Sequence, residues 1–209
     1  MLVNMPDRAP VRAPIPPTPI ERLPIVSGSR CLDLVNTVVG FGTGTARDSL
    51  VDPAAFRRWA QRAGFAAGCG HGPEDRAAFD GAVALRSAIG RIAAGLCAGD
   101  RPPRDALAGL GQAATGAMAR RRLVAGSDGL AWKATASGLA CVLDELALEA
   151  VELLTGPGRA ALRRCAANDC AWFFLDRSRN QSRRWCAMGD CGNRAKARRR
   201  RRRERGPAA

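Results

Sequence analysis

The chain has 209 residues, long enough for one sizeable core and a small appendage, and a formal charge of +14. The charge is uneven: residues 159–205 carry 16 basic and 4 acidic side chains, leaving 17 and 15 for the rest. A uniformly basic molecule is therefore excluded, and a polyanionic partner is expected at one end only.

Residues 1–20, MLVNMPDRAPVRAPIPPTPI, are rich in proline, which fixes φ and removes amide donors, so a flexible or polyproline-like arm is expected. These prolines interrupt the apolar run a signal peptide needs, and nowhere do eighteen apolar residues follow one another. A soluble, cytoplasmic protein is expected. Residues 21–157 read as a mainly helical domain with a small β-hairpin. The run CLDLVNT, from Cys31 to Thr37, is apolar enough to be buried, and Gly40, Gly42 and Gly44 then break regular structure. Asp52 can cap a helix with Pro53 in its first turn, Phe56, Trp59, Ala60 and Ala63 on one face and Gly64 at its end.

Val83, Leu85, Ile89, Ile92 and Leu96 predict a helix from Pro73 to about Ala98, and Leu107, Leu110 and Met118 a second from Pro102 to about Ala119. Between Arg121 and Ala136, apolar runs flank Gly126-Ser127-Asp128-Gly129, as two strands joined by a tight turn would. Ser137 to Leu154 then carries the longest apolar stripe, through Leu139, Val142, Leu143, Leu146, Ala150, Val151 and Leu154. Gly156-Pro157-Gly158 stops it and marks the boundary to a second unit, residues 158–209, with a short helix from Arg159 to Arg164 expected to lead into the cysteines.

In that unit Cys165 and Cys170 enclose four residues, Cys186 and Cys191 again enclose four, and fifteen lie between the pairs. A gap of this size lets both sulfurs of a turn face one point, so the four can close a tetrahedral zinc site. The competing readings are unpaired buried thiols or a disulfide, disfavoured by a reducing compartment and by the repeated gap. Cys31, Cys69, Cys97 and Cys141 show no ligand spacing and read as small core hydrophobes. His71, in the GCGHG loop, could join Cys69 on a metal but reads more simply as a solvated loop residue.

A segment of about forty residues buries too little apolar surface to fold alone, whereas structural zinc supplies on the order of 10 kcal/mol to such a piece. Without metal it should be unfolded. Trp172, Phe173, Phe174 and Trp185 are expected to form a miniature core or a seam with the body, with base stacking the alternative. After Cys191, the run GNRAKARRRRRRER offers Asn193 as a cap and then good helix formers, but consecutive arginines repel until phosphates relieve them. The expected nucleic-acid contacts are Arg177, Arg179, Arg183 and Arg184 in the loop, then Asn193, Arg194, Lys196, Arg198, Arg199, Arg200, Arg201, Arg202 and Arg203. A solvated tail is the plainer alternative; the anchored start of the helix argues against it.

The run CAANDCAWFFLDRSRNQSRRWCAMGDCGNRAKARRRRRR, with its Cys191-Gly192-Asn193-Arg194, resembles the CGNR zinc finger family of bacterial proteins. CLDLVNT and DPAAFRRWA are similar to the opening of the mainly helical ABATE domain that precedes this finger, a domain linked to stress-induced transcription regulation. The resemblance implies Cys165, Cys170, Cys186 and Cys191 as zinc ligands, DNA binding by the finger, and a body that senses a small molecule or stress signal. The reading is a zinc-dependent DNA-binding transcriptional regulator in the nucleoid, with homodimerisation a means to greater specificity; the alternative is an RNA-binding finger. Catalysis is not expected, because Asp33, Asn36, Asp144, Glu145 and Glu149 meet no histidine or reactive cysteine and read as caps, ion-pair partners or solvent-facing groups.

Overall fold

Asp52 accepts a hydrogen bond from the Ala55 amide at 2.6 Å and Pro53 occupies the first helical position. The cap and the donor-less ring together start α2 (Pro53–Arg62). Gly64, at φ +80°, turns the chain away in a conformation that only glycine adopts without strain. The computed structural model describes residues 18–42, 44, 46–65, 74–126 and 129–204, apart from the side chain of Arg202. The Pro-rich arm up to residue 17, Cys69, His71 and the Ser127–Asp128 turn lie outside the described residues.

The described chain is mainly α with three two-stranded sheets. In order it forms α1 (Arg30–Val35), β1 (Val38–Val39), β2 (Arg47–Asp48), α2, α3 (Asp75–Ala98), α4 (Arg104–Ala119), β3 (Arg121–Gly126), β4 (Gly129–Ala134) and α5 (Gly138–Thr155). Then come β5 (Leu162–Arg164), β6 (Phe173–Leu175) and α6 (Asn193–Glu204). The three sheets, β1–β2, β3–β4 and β5–β6, are all antiparallel. Helices α3, α4 and α5 pack on one another, and α1 lies against α3 and α5.

The apolar stripes explain this packing. Leu85, Ile89 and Ile92 of α3 and Leu139, Val142, Leu146 and Ala150 of α5 are buried together. By length and hydropathy α3 could cross a membrane, yet here its stripe fills the protein core. Helix α4 departs from expectation: Leu110 is buried, but Leu107 is 48 % and Met118 42 % exposed. The helix packs through Ala106, Leu110 and Ala117, which share one face at 3.6 residues per turn, and Leu107 and Met118 lie about 100° around from it. Periodicity alone does not choose between two such stripes.

Polar groups tie the N-terminal segment down. Asp33, buried in α1, accepts from the amides of Val26 and Ser27 at 3.1 and 3.0 Å, and burial holds its carboxyl above the usual range. Asp144 takes a two-pronged ion pair from Arg120, and Glu145 and Glu149 both bind Arg30. Asp33, Asp144, Glu145 and Glu149 are thus all engaged in hydrogen bonds or ion pairs. Cys31 is fully buried, and burial pushes its thiol up to about 12.

The expected helix from Arg159 to Arg164 is replaced by a single tight turn, Pro157–Ala161, followed by β5. The sheet wins because Leu162, Arg163 and Arg164 pair with Leu175, Phe174 and Phe173, which satisfies backbone groups otherwise left without partners. Strand β6 is entirely buried, and its aromatics join the helical core. Asn36, only 3 % exposed, spans the seam: its amide nitrogen donates to the Phe173 carbonyl at 2.8 Å and its oxygen accepts from the Phe173 amide at 2.9 Å. The Leu175 amide donates to Ser27 and the Gly40 amide to the Cys170 carbonyl. One hydrophobic core thus runs from the helices into the cysteine-bearing segment.

Candidate metal centre and basic helix

The β5–β6 pair presents the first two cysteines from its connecting loop. The Cys165 amide donates to the Trp172 carbonyl at 2.8 Å, and the Cys170 amide donates to Ala167 in a tight turn. Ala171 adopts a left-handed conformation, φ 58°, between Cys170 and the buried Trp172. The second pair comes from the far side of the loop. Cys186 precedes one wide helical turn, Met188–Gly192, that carries Cys191 and runs straight into α6. All four residues are buried and their sulfurs lie within 4.8 Å of one another.

Cys186 Sγ is 3.6 Å from both Cys170 Sγ and Cys191 Sγ. Zn–S bonds of about 2.3 Å place the corners of a regular tetrahedron about 3.8 Å apart, so the cluster has the size of a zinc tetrathiolate. As thiols alone the four compete for protons. Hydrogen bonds from Cys170 and Cys186 hold Cys165 low, donation to Cys165 holds Cys170 and Cys186 high, and burial raises Cys191. A divalent cation removes the conflict by letting every sulfur ionise.

Arg194, counted from sequence among the nucleic-acid contacts, turns back to this cluster. Its guanidinium donates to Cys191 Sγ at 3.2 Å and pairs with Asp190 and, at 3.6 Å, with Asp169. A zinc ion with four thiolates carries a net charge of about −2, and a cation hydrogen-bonded to a ligand sulfur offsets part of it. Arg198 reaches Asp169 at 3.8 Å. Asn193 is not a cap: at φ −66° and ψ −41° it is already helical, and its side-chain amide donates to the Gly189 carbonyl at 3.0 Å. The preceding wide turn supplies the entry to the helix instead.

The loop arginines divide similarly. Arg183 donates to the Trp185 and Cys186 carbonyls and lies 4.5 Å above the Phe174 ring, so it fastens the second pair to the core. Arg177 donates to the Gly28 carbonyl and Arg184 covers Trp185 at 5.5 Å. Arg200 pairs with Glu204. Arg179, Lys196, Arg199, Arg201 and Arg203 are exposed and have no carboxylate partner among the described residues. Lys196, Arg199 and Arg203, at i, i+3 and i+7, share one face of α6, whereas Arg194 and Arg198 face the cluster.

Trp172, Phe173 and Phe174 are buried and form the expected seam, which leaves the two phenylalanines no face for a base. Sequence reasoning missed Asp176, which is buried and accepts from the Ser178 amide and hydroxyl and from the Arg183 amide. The hydrogen bond from Ser178 holds its carboxyl below the usual range. An aspartate two residues before a serine, at the end of a strand, is the local signal for such a turn.

Helical body, paired cysteines and basic helix together define a zinc finger protein, and Zn2+ fits the four buried sulfurs as its cofactor. Residues 161–204 match the CGNR zinc finger and residues 28–157 match ABATE, described as "Putative stress-induced transcription regulator". The chain belongs to the ABATE family and carries a CGNR zinc finger at its C-terminal end. No curated protein gives a significant match.

Proposed function

We propose that Cys165, Cys170, Cys186 and Cys191 hold one zinc ion and that the protein is a non-enzymatic, cytoplasmic transcription regulator binding duplex DNA through α6. The helical body, residues 21–157, acts as the regulatory unit and senses a small effector; residues 158–209 form the finger. The observation that carries the reading is the set of exposed cations on α6, Lys196, Arg199, Arg201 and Arg203, unpaired among the described residues on a helix whose first turn is fixed by Cys191. Phosphates supply the counter-charge that such a helix lacks, and the anchored turn sets its approach to a groove.

With Arg179 included, about five phosphate contacts give a slope of log affinity against log salt near −4.5. Fluorescence anisotropy of zinc-loaded protein on labelled duplex DNA measures it directly. Replacing Lys196, Arg199 and Arg203 together by Gln should reduce the slope by about 2.7 while zinc content stays at one equivalent. A slope near zero for the unmodified protein refutes the interface. Tighter binding of structured RNA than of duplex DNA at equal salt would replace DNA by RNA as the partner.

A further inference from the structure

A cavity of about 370 Å³ opens where the N-terminal segment, the β1–β2 pair and the cysteine cluster meet. This is a volume suited to a small ligand. Among its described lining residues, Leu23, Val39 and the ring of Trp172 give it an apolar wall, and Arg22, Arg47 and Arg194 a cationic one.

Among the described residues, two donors on the side chains of that lining have no acceptor. Trp172 is only 6 % exposed, yet its indole Nε1 is buried without a hydrogen-bond partner, and so is Nε of Arg194. A buried N–H left unpaired costs about 1–3 kcal/mol, so two beside one cavity call for an acceptor that the described residues do not provide. The charge points the same way. The two carboxylates in the lining, Asp169 and Asp190, are engaged by Arg194 and Arg198, whereas Arg22 and Arg47 have no carboxylate partner among the described residues.

We propose that this cavity is the effector site of the protein and takes a small organic anion. Its acidic oxygens face Arg22, Arg47 and the Arg194 guanidinium beside the Trp172 indole, while its apolar body lies against Leu23 and Val39. The proposal rests on the effector-sensing regulator proposed above and supplies the site and the ligand class. Arg194 is the connecting residue: the same guanidinium that lines the cavity donates to Cys191 Sγ and leads α6. An acidic oxygen bound at this guanidinium redistributes its contacts among Asp169, Asp190 and Cys191, and so alters how the basic helix sits on the cluster.

Indole N–H resonances of the 15N-labelled, zinc-loaded full chain test this. The Trp172 signal is assigned by its loss in Trp172→Phe. Benzoate and phenyl phosphate serve as probes, with neutral benzamide as control. A carboxylate or phosphate probe should move that signal saturably below about 20 mM, benzamide should not, and Arg47→Gln should weaken the binding at least about fivefold, a loss of about 1 kcal/mol. Preference between the two anions tells which acidic group is recognised. No movement with either anion, or equal binding of benzamide, overturns the site.

Duplex-DNA affinity measured with and without the bound probe should differ at least about threefold. An unchanged affinity while the indole signal shifts overturns the regulatory half of the proposal. Absence of any DNA binding without probe would instead count against the DNA reading, and the indole titration decides the cavity independently of it.

Discussion

Asn36 does for Phe173 what a neighbouring strand would do, offering a donor and an acceptor to one residue's backbone across a separation of 137 positions. Its truncation leaves an amide and a carbonyl unpaired inside a dry seam. At about 1–3 kcal/mol for each buried orphan, Asn36→Ala should cost roughly 2–4 kcal/mol in urea unfolding, well above the few tenths expected of a surface substitution. A loss below about 0.5 kcal/mol would mean that water enters the seam and satisfies Phe173 instead. None of this was readable from CLDLVNT, where Asn36 is a polar residue at the end of an apolar run with its partner far along the chain. The cysteines were legible because each gap is local, and a four-residue spacing carries its geometry with it. Arg194 lay between these cases. It follows Cys191 by three positions and Asp190 by four, a helical register, but a run of arginines hides which one turns back.

Among the elements, α3 is shaped as much by its glycines as by its apolar stripe. A Cβ at Gly90 would lie 2.4 Å from the Phe41 ring, and one at Gly81 2.7 Å from Leu143. Phe41 in turn meets Phe173 edge-on at 6.3 Å, so the close approach at Gly90 bears on the seam. Two effects oppose each other in Gly90→Ala. Helix propensity gains about 1 kcal/mol, and overpacking a ring against a helix backbone costs about 1–3 kcal/mol. The clash should prevail, giving a net loss of about 1 kcal/mol. Gly111 on α4 has nothing within 4 Å of its Cβ position, so Gly111→Ala should raise stability by about 0.5–1 kcal/mol. Equal effects of the two substitutions in thermal unfolding would show that the Phe41 contact imposes no constraint. Helices α2 to α5 were readable from periodicity, α2 also from its Asp52 cap, whereas α1 and the orientation of α4 were not. Its Ala106, Leu110 and Ala117 face and its Leu107 and Met118 face are both apolar, and packing against α3 and α5 made the choice.

At the scale of the whole molecule, the finger and the helical body share one core, which changes what metal removal should do. Structural zinc contributes about 10–16 kcal/mol to a small metal-bound unit, comparable with the roughly 5–15 kcal/mol that holds a whole domain together. Cys186→Ser removes one of the four proposed ligands, so the segment from Cys165 onward should lose its fixed structure. The body then loses the buried faces of Phe173 and Phe174, each about 0 % exposed. At about 1.5–3 kcal/mol for each aromatic, the helical body itself should be weakened by roughly 3–6 kcal/mol. With a urea slope of about 1–3 kcal/mol per molar, the midpoint of the helical circular-dichroism signal falls by about 2 M. Cys97→Ser, outside the cluster and only half-buried, provides the control and should stay within about 1 kcal/mol of the parent. A midpoint in Cys186→Ser matching that control would establish two independent units joined by a tether. A joint loss would establish that zinc, through β6 and Asn36, also stabilises the helices that lie beyond its ligands.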